Sequence, residues 1–315
     1  MNRLLIVITF VFVSFQFTFG QFYGRPGDWK KYRHEYFVSM GSSHFLGDLG
    51  GRDKVGTDFS PVDLDFGMTR TAMGAGYRYR VQKWFNASST FNWLLLKGDD
   101  AFTNEKFRNN RNLNFKNNVL ELAVRAEFGY FQSKLSNRYS IKKSLSQKKY
   151  KINWNYFGYT GIAVLYHNPK GRDASGNYVK LKPLHTEGQG LPGGPKQYRN
   201  VAVAIPFGVY IKGVINRTWC VGLDICYRKT FTDYLDDVST SYYDKTALLN
   251  AYGPKSVEMS DPNKGLIYGF SSPAADGTRA QRGDNNKDTY ISAQVTFGYI
   301  MKAKKKKKAR LRSKF

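Results

Sequence analysis

Beyond its N-terminus the sequence contains no long hydrophobic run, although 41% of its 315 residues are hydrophobic. The one continuously apolar stretch extends from Leu4 to Phe19 and is followed by Gly20. A helix that crosses a membrane needs about 20 apolar residues. We therefore expect residues 1–20 to be a signal peptide cleaved near Gly20; an N-terminal membrane anchor is the alternative, but no basic stop-transfer flank follows at once. No cysteine lies at the expected cleavage site, which disfavours a lipid anchor.

Residues that carry redox or metal chemistry are scarce, with two cysteines and four histidines. Cys220 and Cys226 fall on one predicted strand, about 20 Å apart at strand rise, and cannot form a disulfide with each other there. The four histidines, His34, His44, His167 and His185, show no metal-ligand spacing. We find no serine-nucleophile motif, and the glycines around Pro192 are not flanked by the strand and helix of a nucleotide site. The sequence therefore predicts no cofactor and no enzymatic activity; a small barrel hydrolase or acyltransferase, with His44 or His185 as candidate residues, is the rival.

A chain without apolar spanning helices can cross a membrane only as a closed β-barrel, whose strands alternate apolar and polar residues over about ten positions. Such alternation occurs in eight segments, at 35–46, 67–80, 85–95, 120–130, 154–167, 201–212, 219–228 and 290–299. It is clearest in the second half, where Val295 and Phe297 alternate with Gln294 and Thr296. We predict an all-β fold, a transmembrane antiparallel up-and-down β-barrel of eight strands. A soluble periplasmic β-protein is the alternative.

The connections between these segments fall into two length classes. Long connections at 47–65, 98–112, 168–198 and 232–288 alternate with short ones at 81–84 and 216–218. This asymmetry is typical of outer-membrane barrels, whose short turns face the periplasm. The exception is 131–153, a long basic connection on the short-turn side, which we place in the periplasm. We expect a signal peptide at 1–20, a periplasmic segment at 21–34, the outer-membrane barrel at 35–303 and a basic periplasmic tail at 304–315, with both termini periplasmic.

Charged residues occupy several positions that would face the barrel lumen. They are Glu121, Arg125, Glu127, Lys212, Asp224 and Arg228. The lumen of a barrel this narrow is filled by side chains, and an unpaired buried charge is costly. We therefore expect these groups to pair and to form a salt-bridged plug. A proton or ion path along them is the alternative.

Acidic residues are outnumbered by basic ones, 24 to 49, which gives a net charge of +25. The segments 131–153 and 302–315 together hold 16 of the basic residues and no acidic side chain. Export argues against a nucleic-acid partner, so this basic periplasmic end could dock on an acidic protein or lie against anionic lipid headgroups. The candidate contact residues are Lys142, Lys143, Lys148, Lys149, Lys304, Lys305, Lys306, Lys307 and Lys308.

On the other side, the group Asp233, Asp236 and Asp237 could bind a divalent cation or form a solvated rim, and we expect the rim.

Three stretches carry a family resemblance: Leu181–Gly190 (LKPLHTEGQG), Ala204–Val209 (AIPFGV) and Tyr227–Thr240 (YRKTFTDYLDDVST). They resemble the PorG/SprG-type outer-membrane barrel of the Bacteroidota type IX secretion system, and Gly41–Asp48 and Tyr77–Tyr79 are similar to the N-terminal half of that family. The resemblance implies a non-enzymatic barrel that anchors the periplasmic ring of PorK- and PorN-like (GldK- and GldN-like) subunits to the outer membrane. The basic tail after Ala303 departs from the family, so Phe315 is not expected to be the terminal aromatic of the insertion signal. A stand-alone barrel acting as a passive pore or adhesin is the alternative function.

Overall fold

The fold is seen in a computed structural model that describes residues 28–49, 66–103, 105–131, 153–215, 218–267, 280–284 and 286–303. Its long strands are β1 (His34–Leu46), β2 (Arg70–Arg80), β3 (Phe85–Asp99), β4 (Asn114–Phe131), β5 (Asn153–Tyr166), β8 (Val201–Val214), β9 (Trp219–Thr230) and β10 (Thr289–Met301). Two short strands, β6 (Lys170–Arg172) and β7 (Tyr178–Lys180), form a hairpin between β5 and β8.

The eight long strands close into a barrel. Each pairs antiparallel with the next long strand along the chain, and β1 pairs with β10 from His34 opposite Met301 to Leu46 opposite Thr289. Closure leaves every long strand with two partners, so its backbone hydrogen bonds are made within the sheet. The predicted eight-stranded, all-β, antiparallel up-and-down barrel is confirmed.

Side chains alternate between the two faces of the barrel wall as the sequence predicts. In β10, for example, Val295 and Phe297 are exposed on the outside, while Gln294 and Thr296 are buried inside. The eight predicted segments all coincide with barrel strands. Two strands are longer than predicted: β3 ends at Asp99, and β4 begins at Asn114. Their outward positions near the long connections are polar, so these positions give no apolar alternation.

The short turn at 81–84 and the four long connections lie at opposite ends of the barrel, and helices occur in the long connections. These helices are α1 (Lys106–Arg111), α2 (Lys245–Tyr252) and α3 (Pro254–Ser260), with 3-10 turns at Phe66–Met68, Asp100–Phe102 and Lys182–Leu184. A further 3-10 turn, Asp28–Lys31, precedes β1. The Asp244 carboxylate caps α2 by accepting a 2.7 Å hydrogen bond from the amide of Ala247. No helix in the part of the chain that is described has the length and apolar character needed to cross a membrane.

Several sequence expectations fall outside the described residues. They concern the signal peptide at 1–20, residues 21–27 of the N-terminal segment, most of the connection 131–153 and the tail 304–315. The end of the N-terminal segment is described, and there the amide of Ala303, just after β10, donates a 2.8 Å hydrogen bond to the carbonyl of Lys31. The chain entering β1 and the chain leaving β10 therefore meet at the short-turn end.

Candidate functional site

The barrel interior holds ion pairs near its middle and its long-connection end. Arg228 Nε donates to Glu121 Oε2 at 2.6 Å, and both side chains are fully buried. Tyr290 donates its hydroxyl to the same oxygen at 2.6 Å. One level lower, Arg125 Nη1 donates to Asp224 Oδ2 at 2.8 Å. Each of these charges therefore has an opposite charge within hydrogen-bond distance, as burial requires.

A second cluster fills the interior towards the short-turn end. Arg78 bridges two carboxylates, donating from Nη1 to Glu35 at 2.5 Å and from Nε to Glu127 at 2.6 Å. Lys212 donates to the other oxygen of Glu35. Glu35 and Arg78 were missed by the sequence interpretation, although both follow the inward parity of their strands, Glu35 between outward residues of β1 and Arg78 between Tyr77 and Tyr79.

These eight residues form the lumen charge network: Glu35, Arg78, Glu121, Arg125, Glu127, Lys212, Asp224 and Arg228. Four acids meet four bases, so the network carries no net charge. All six lumen residues singled out from the sequence are among them. Both cysteines, Cys220 and Cys226, are buried inside and free. Such a set of paired, tightly packed side chains can hold a barrel closed and rigid.

The outer surface of the barrel is apolar. Large hydrophobic side chains are exposed on all eight long strands, among them Val38 at 57%, Val124 at 63%, Ile162 at 66% and Phe297 at 61%. On β3 the outward residues from Phe85 to Leu95 span ten residue steps, or about 33 Å along the strand. Strands of such barrels are tilted by about 40° from the barrel axis, so this length corresponds to a height of about 25 Å along the axis. This apolar band has the height of the lipid-facing band of an outer-membrane barrel.

Aromatic residues with a polar atom lie near the short-turn edge of the band. They include Trp84, Trp154, Trp219 and Tyr299, and the rings of Trp219 and Tyr299 pack edge to face with centroids 5.2 Å apart. Tryptophan and tyrosine prefer the boundary between hydrocarbon and water, because one part of the ring is apolar and another part is polar. Their position marks this edge of the band.

The four long connections fold together over one end of the barrel, and we call their described parts the loop cap. Two buried arginines link them. Arg111 pairs with Asp100 at 2.7 Å and also donates to the backbone carbonyls of Asp48 and Arg282. Arg282 donates to the Glu187 carboxylate at 3.1 Å and to the carbonyl of Asp237 at 2.6 Å. Side chains and backbone from all four connections thus meet at Arg111 and Arg282.

The acidic group Asp233, Asp236 and Asp237 is buried in the loop cap, and the expectation of a solvated rim was wrong. Their exposed fractions are 3%, 1% and 1%. The aspartates are buried because Tyr198 and Thr186 donate to Asp237, both at 2.6 Å, and draw this segment under the loops. Among the described residues no three His, Cys, Asp or Glu side chains are arranged to hold a metal ion.

Burial of these carboxylates in the loop cap changes their acidity. It raises the pKa of Asp237 and of Asp233 to about 6 each, and the pKa of Asp48 to about 8, with the Asp284 carboxylate beside Asp48 acting in the same direction. Burial, followed by the nearby charges of Asp288 and Asp48, also raises the pKa of Asp236. Between about pH 4 and pH 6 these carboxyl groups therefore keep protons that free aspartates would release.

Two of the stretches that carry the family resemblance meet in the loop cap, whereas Ala204–Val209 lies within β8 and Tyr227–Thr230 within β9. Thr186 and Glu187, from Leu181–Gly190, contact Asp237 and Ser239, from Tyr227–Thr240. Glu187 Oε1 accepts a 2.8 Å hydrogen bond from the amide of Ser239. These stretches therefore build the contacts that fix one connection against another.

The two histidines of the hydrolase alternative lie apart and make packing contacts. His185 stacks on Tyr252 with centroids 4.2 Å apart, and its Nδ1 lies 2.7 Å from the carbonyl oxygen of Gln189. His44, on β1, has its Nδ1 3.4 Å from the hydroxyl of Thr69. Burial lowers the pKa of a third histidine, His167, to about 4, so it is neutral at physiological pH.

The lysines chosen as periplasmic contacts, in 131–153 and in the tail, lie outside the described residues. The short-turn end that is described is itself basic. It carries Lys30, Lys83 and Lys302, which are exposed, and Lys31, Arg33 and Arg80, which are partly buried. Arg33 lies over the ring of Trp29 at 4.8 Å and donates to the Tyr79 hydroxyl at 2.9 Å, which fixes one of these cations against the barrel.

Comparisons with known proteins yield a family of unknown function and distant structural likenesses. Residues 28–176 match a family described as a domain of unknown function (DUF6089), which covers less than half of the chain. No curated protein matches the chain.

Among solved structures, the chain is similar to Ail of Yersinia pestis, solved with the heparin analogue sucrose octasulfate, at TM-score 0.33 and 9% identity over 85% of this chain and 98% of that chain. It is similar to Neisserial surface protein A at TM-score 0.33 and 6% identity, over 83% and 95% of the two chains. It is also similar to the N-terminal β-barrel domain of Pseudomonas aeruginosa OprF at TM-score 0.32 and 5% identity, over 85% and 98%. Likenesses this distant do not bear on function.

Proposed function

We propose that the protein is an integral outer-membrane β-barrel that anchors partner proteins and neither conducts solutes nor catalyses a reaction. The observation that carries the proposal is the apolar band around a polar, charge-balanced interior. A water-soluble β-protein buries its apolar face and exposes its polar face, whereas this barrel does the reverse. The lumen charge network and the loop cap both argue against a pore, since each places packed side chains where a pore would need water.

We further propose that its partner is the periplasmic ring of PorK- and PorN-like subunits of the type IX secretion system. The family resemblance supports this partner, and so does the basic short-turn end, to which 131–153 and the tail would add charge. A surface with this excess of Lys and Arg attracts an acidic partner and speeds its association. In this arrangement the short turns and both termini face the periplasm.

The membrane assignment and the orientation of the protein are tested by labelling introduced cysteines on intact cells. Ser175→Cys, in the exposed β6–β7 turn, should react with a membrane-impermeant maleimide, whereas Lys302→Cys should react only after the outer membrane is permeabilised. The two native cysteines are buried and provide a low background. The purified protein should also show the heat-dependent gel shift of a folded barrel. Labelling of Lys302→Cys on unbroken cells would contradict the orientation, and recovery of the protein in the soluble fraction would contradict the membrane assignment.

The partner is tested by co-purification of ring subunits with the tagged barrel. Replacing Lys142, Lys143, Lys148 and Lys149 by Gln and truncating after Ala303 should lower the yield of ring subunits and reduce secretion. The control replaces four exposed loop lysines, Lys106, Lys196, Lys264 and Lys287, by Gln, which matches the charge removed by the four substitutions in 131–153, and should retain the ring. Raising the salt concentration should weaken the contact, since exposed charges are screened beyond about 8 Å at 0.15 M. Wild-type ring yield from a folded basic-segment variant would overturn the ring proposal and favour a stand-alone adhesin.

A further inference from the structure

Four lysines lie directly opposite one another across four neighbouring strands. Lys97 on β3 pairs with Lys116 on β4, Lys116 pairs with Lys170 on β6, and Lys170 pairs with Lys180 on β7. Directly opposed residues of a sheet point to the same face, and here it is the outer face, as the exposure of Lys116 and Lys180 indicates. We call these residues the lysine row; three strand spacings give it a length of about 14 Å.

Like charges at directly opposed positions destabilise a sheet. Within the described residues, this repulsion is poorly compensated. Lys97 lies 3.6 Å from Asp99, and Lys116 lies over the ring of Tyr178 at 5.4 Å. No carboxylate of the described residues lies within ion-pair distance of Lys116, Lys170 or Lys180. The row therefore concentrates four positive charges, for which the described residues provide one nearby carboxylate, that of Asp99.

The height of the lysine row on the barrel indicates what kind of anion this is. Lys97 is the next outward residue of β3 after Leu95, which is the last apolar residue of the band on that strand. On β4 the separation is larger, since Lys116 lies two residues before Asn118 and four before the exposed Leu120. Lys97 and Lys116 therefore lie about 7 Å and about 13 Å along their strands beyond the apolar band, which places the row at the level of the lipid headgroups and just above it.

Resting on the membrane assignment above, we propose that the lysine row binds the phosphate groups of an anionic glycolipid in the outer leaflet. The ammonium groups of the row would contact the phosphates while the acyl chains lie on the apolar band beneath. Arg172, paired opposite Tyr178 on the same outer face and 46% exposed in its side chain, adds a further cation one position above the row. A lipid is the fitting occupant because Lys97 continues the outward positions of the apolar band on β3, and the row extends from there onto the β6–β7 hairpin of the loop cap.

The test uses the full barrel in phosphatidylcholine vesicles that contain bisphosphorylated lipid A or lipid A from which the phosphates have been removed. Lipid retained by the purified protein is measured by native mass spectrometry. Replacing all four lysines of the row by Gln should lower the apparent affinity for the phosphorylated lipid by about a hundredfold or more, since each basic residue near a charged surface contributes about a fivefold effect. The control variant with Gln at Lys106, Lys196, Lys264 and Lys287 loses the same charge and should bind normally.

A second measurement separates binding from folding. Without anionic lipid, the lysine-row variant should melt at the same or a higher temperature than the wild type, because the substitutions remove repulsion. The milder Lys170→Gln/Lys180→Gln variant changes only the β6–β7 hairpin and should show a partial loss of binding.

Equal weakening by the control variant, or equal retention of the dephosphorylated lipid, would overturn the proposal. Stronger competition by soluble heparin than by the lipid would overturn it in favour of a polysaccharide ligand. Failure of the wild type to insert into neutral vesicles would contradict the membrane assignment itself, whereas insertion without phosphate-dependent retention would contradict only the lysine row.

Discussion

Removing one partner of the Glu121–Arg228 pair should destabilise the barrel strongly. Both side chains are fully buried, with Arg228 Nε 2.6 Å from Glu121 Oε2. Glu121→Gln keeps the shape of the side chain and one acceptor oxygen, which can serve Tyr290 or Asn92 but not both, and Arg228 loses its carboxylate. Leaving a charge buried without its partner costs about 3–5 kcal/mol. At a slope of about 2 kcal/mol per molar urea, the unfolding midpoint should fall by about 2 M.

The assay is urea unfolding of the barrel in lipid vesicles, followed by tryptophan fluorescence and by the heat-dependent gel shift. Arg228→Met added to Glu121→Gln removes the stranded charge and should recover much of the lost stability, a coupling that a double-mutant cycle measures. Arg172→Met is the control, since its side chain is 46% exposed and lies 3.8 Å from Asp99, and its midpoint should not change measurably. If Glu121→Gln unfolds at the same urea concentration as Arg172→Met, the lumen charges are hydrated and our reasoning about the interior is wrong.

Three further predictions concern the loop cap and the lumen. Burial raises the pKa of Asp48 to about 8 and those of Asp233 and Asp237 to about 6, from 3.8 for a free aspartate. Protonation of these carboxyl groups therefore stabilises the folded cap fully below about pH 4, and this stabilisation is lost as the pH rises to 8. Amide exchange in the cap, corrected for intrinsic rates, should therefore be faster at pH 8 than at pH 5, and Asp48→Asn should reduce that difference; equal protection at both pH values would contradict it. Arg282→Met leaves Glu187, which is fully buried, without its cation, and should make the cap sensitive to limited proteolysis while the gel shift of the barrel persists; an intact cap would mean that Arg282 does not hold it. In planar lipid bilayers the protein should give no steady ion current, and a stable open channel would refute the role of the lumen charge network as a plug.

The barrel could be predicted from the sequence because every strand obeys one local rule. Alternation along a strand decides which side chains face inwards, so a residue such as Asp224 is placed inside by its immediate neighbours alone. The same rule applied to Glu35 and Arg78 would have completed the lumen charge network. Tyrosine and glycine residues on β1 and β2 blur the difference between the two faces, and the alternation around Glu35 and Arg78 is therefore hard to recognise.

The loop cap could not be predicted in this way. Arg111 and Arg282 are 171 residues apart in sequence, and their contact depends on how four irregular connections fold over the barrel. No periodicity marks such residues, and the aspartates they accompany looked like an exposed rim. The β6–β7 hairpin was missed for a related reason: its strands of three residues each are too short for alternation to be detected.

The two ends of the barrel contribute differently to the proposed role in secretion: the loop cap closes the barrel, and the short-turn end would bind the partner. Two stretches of the family resemblance, Leu181–Gly190 and the part of Tyr227–Thr240 that follows β9, lie in the loop cap, where residues such as Glu187 and Asp237 make internal contacts. They account for how this barrel is capped. Recognition of a periplasmic ring would instead depend on the short-turn end, where Lys30, Lys83 and Lys302 are exposed. A substitution that disrupts the cap, such as Arg282→Met, should thus loosen the cap and leave ring binding unchanged, whereas exchange of the basic residues at the short-turn end should alter the partner and leave the fold intact.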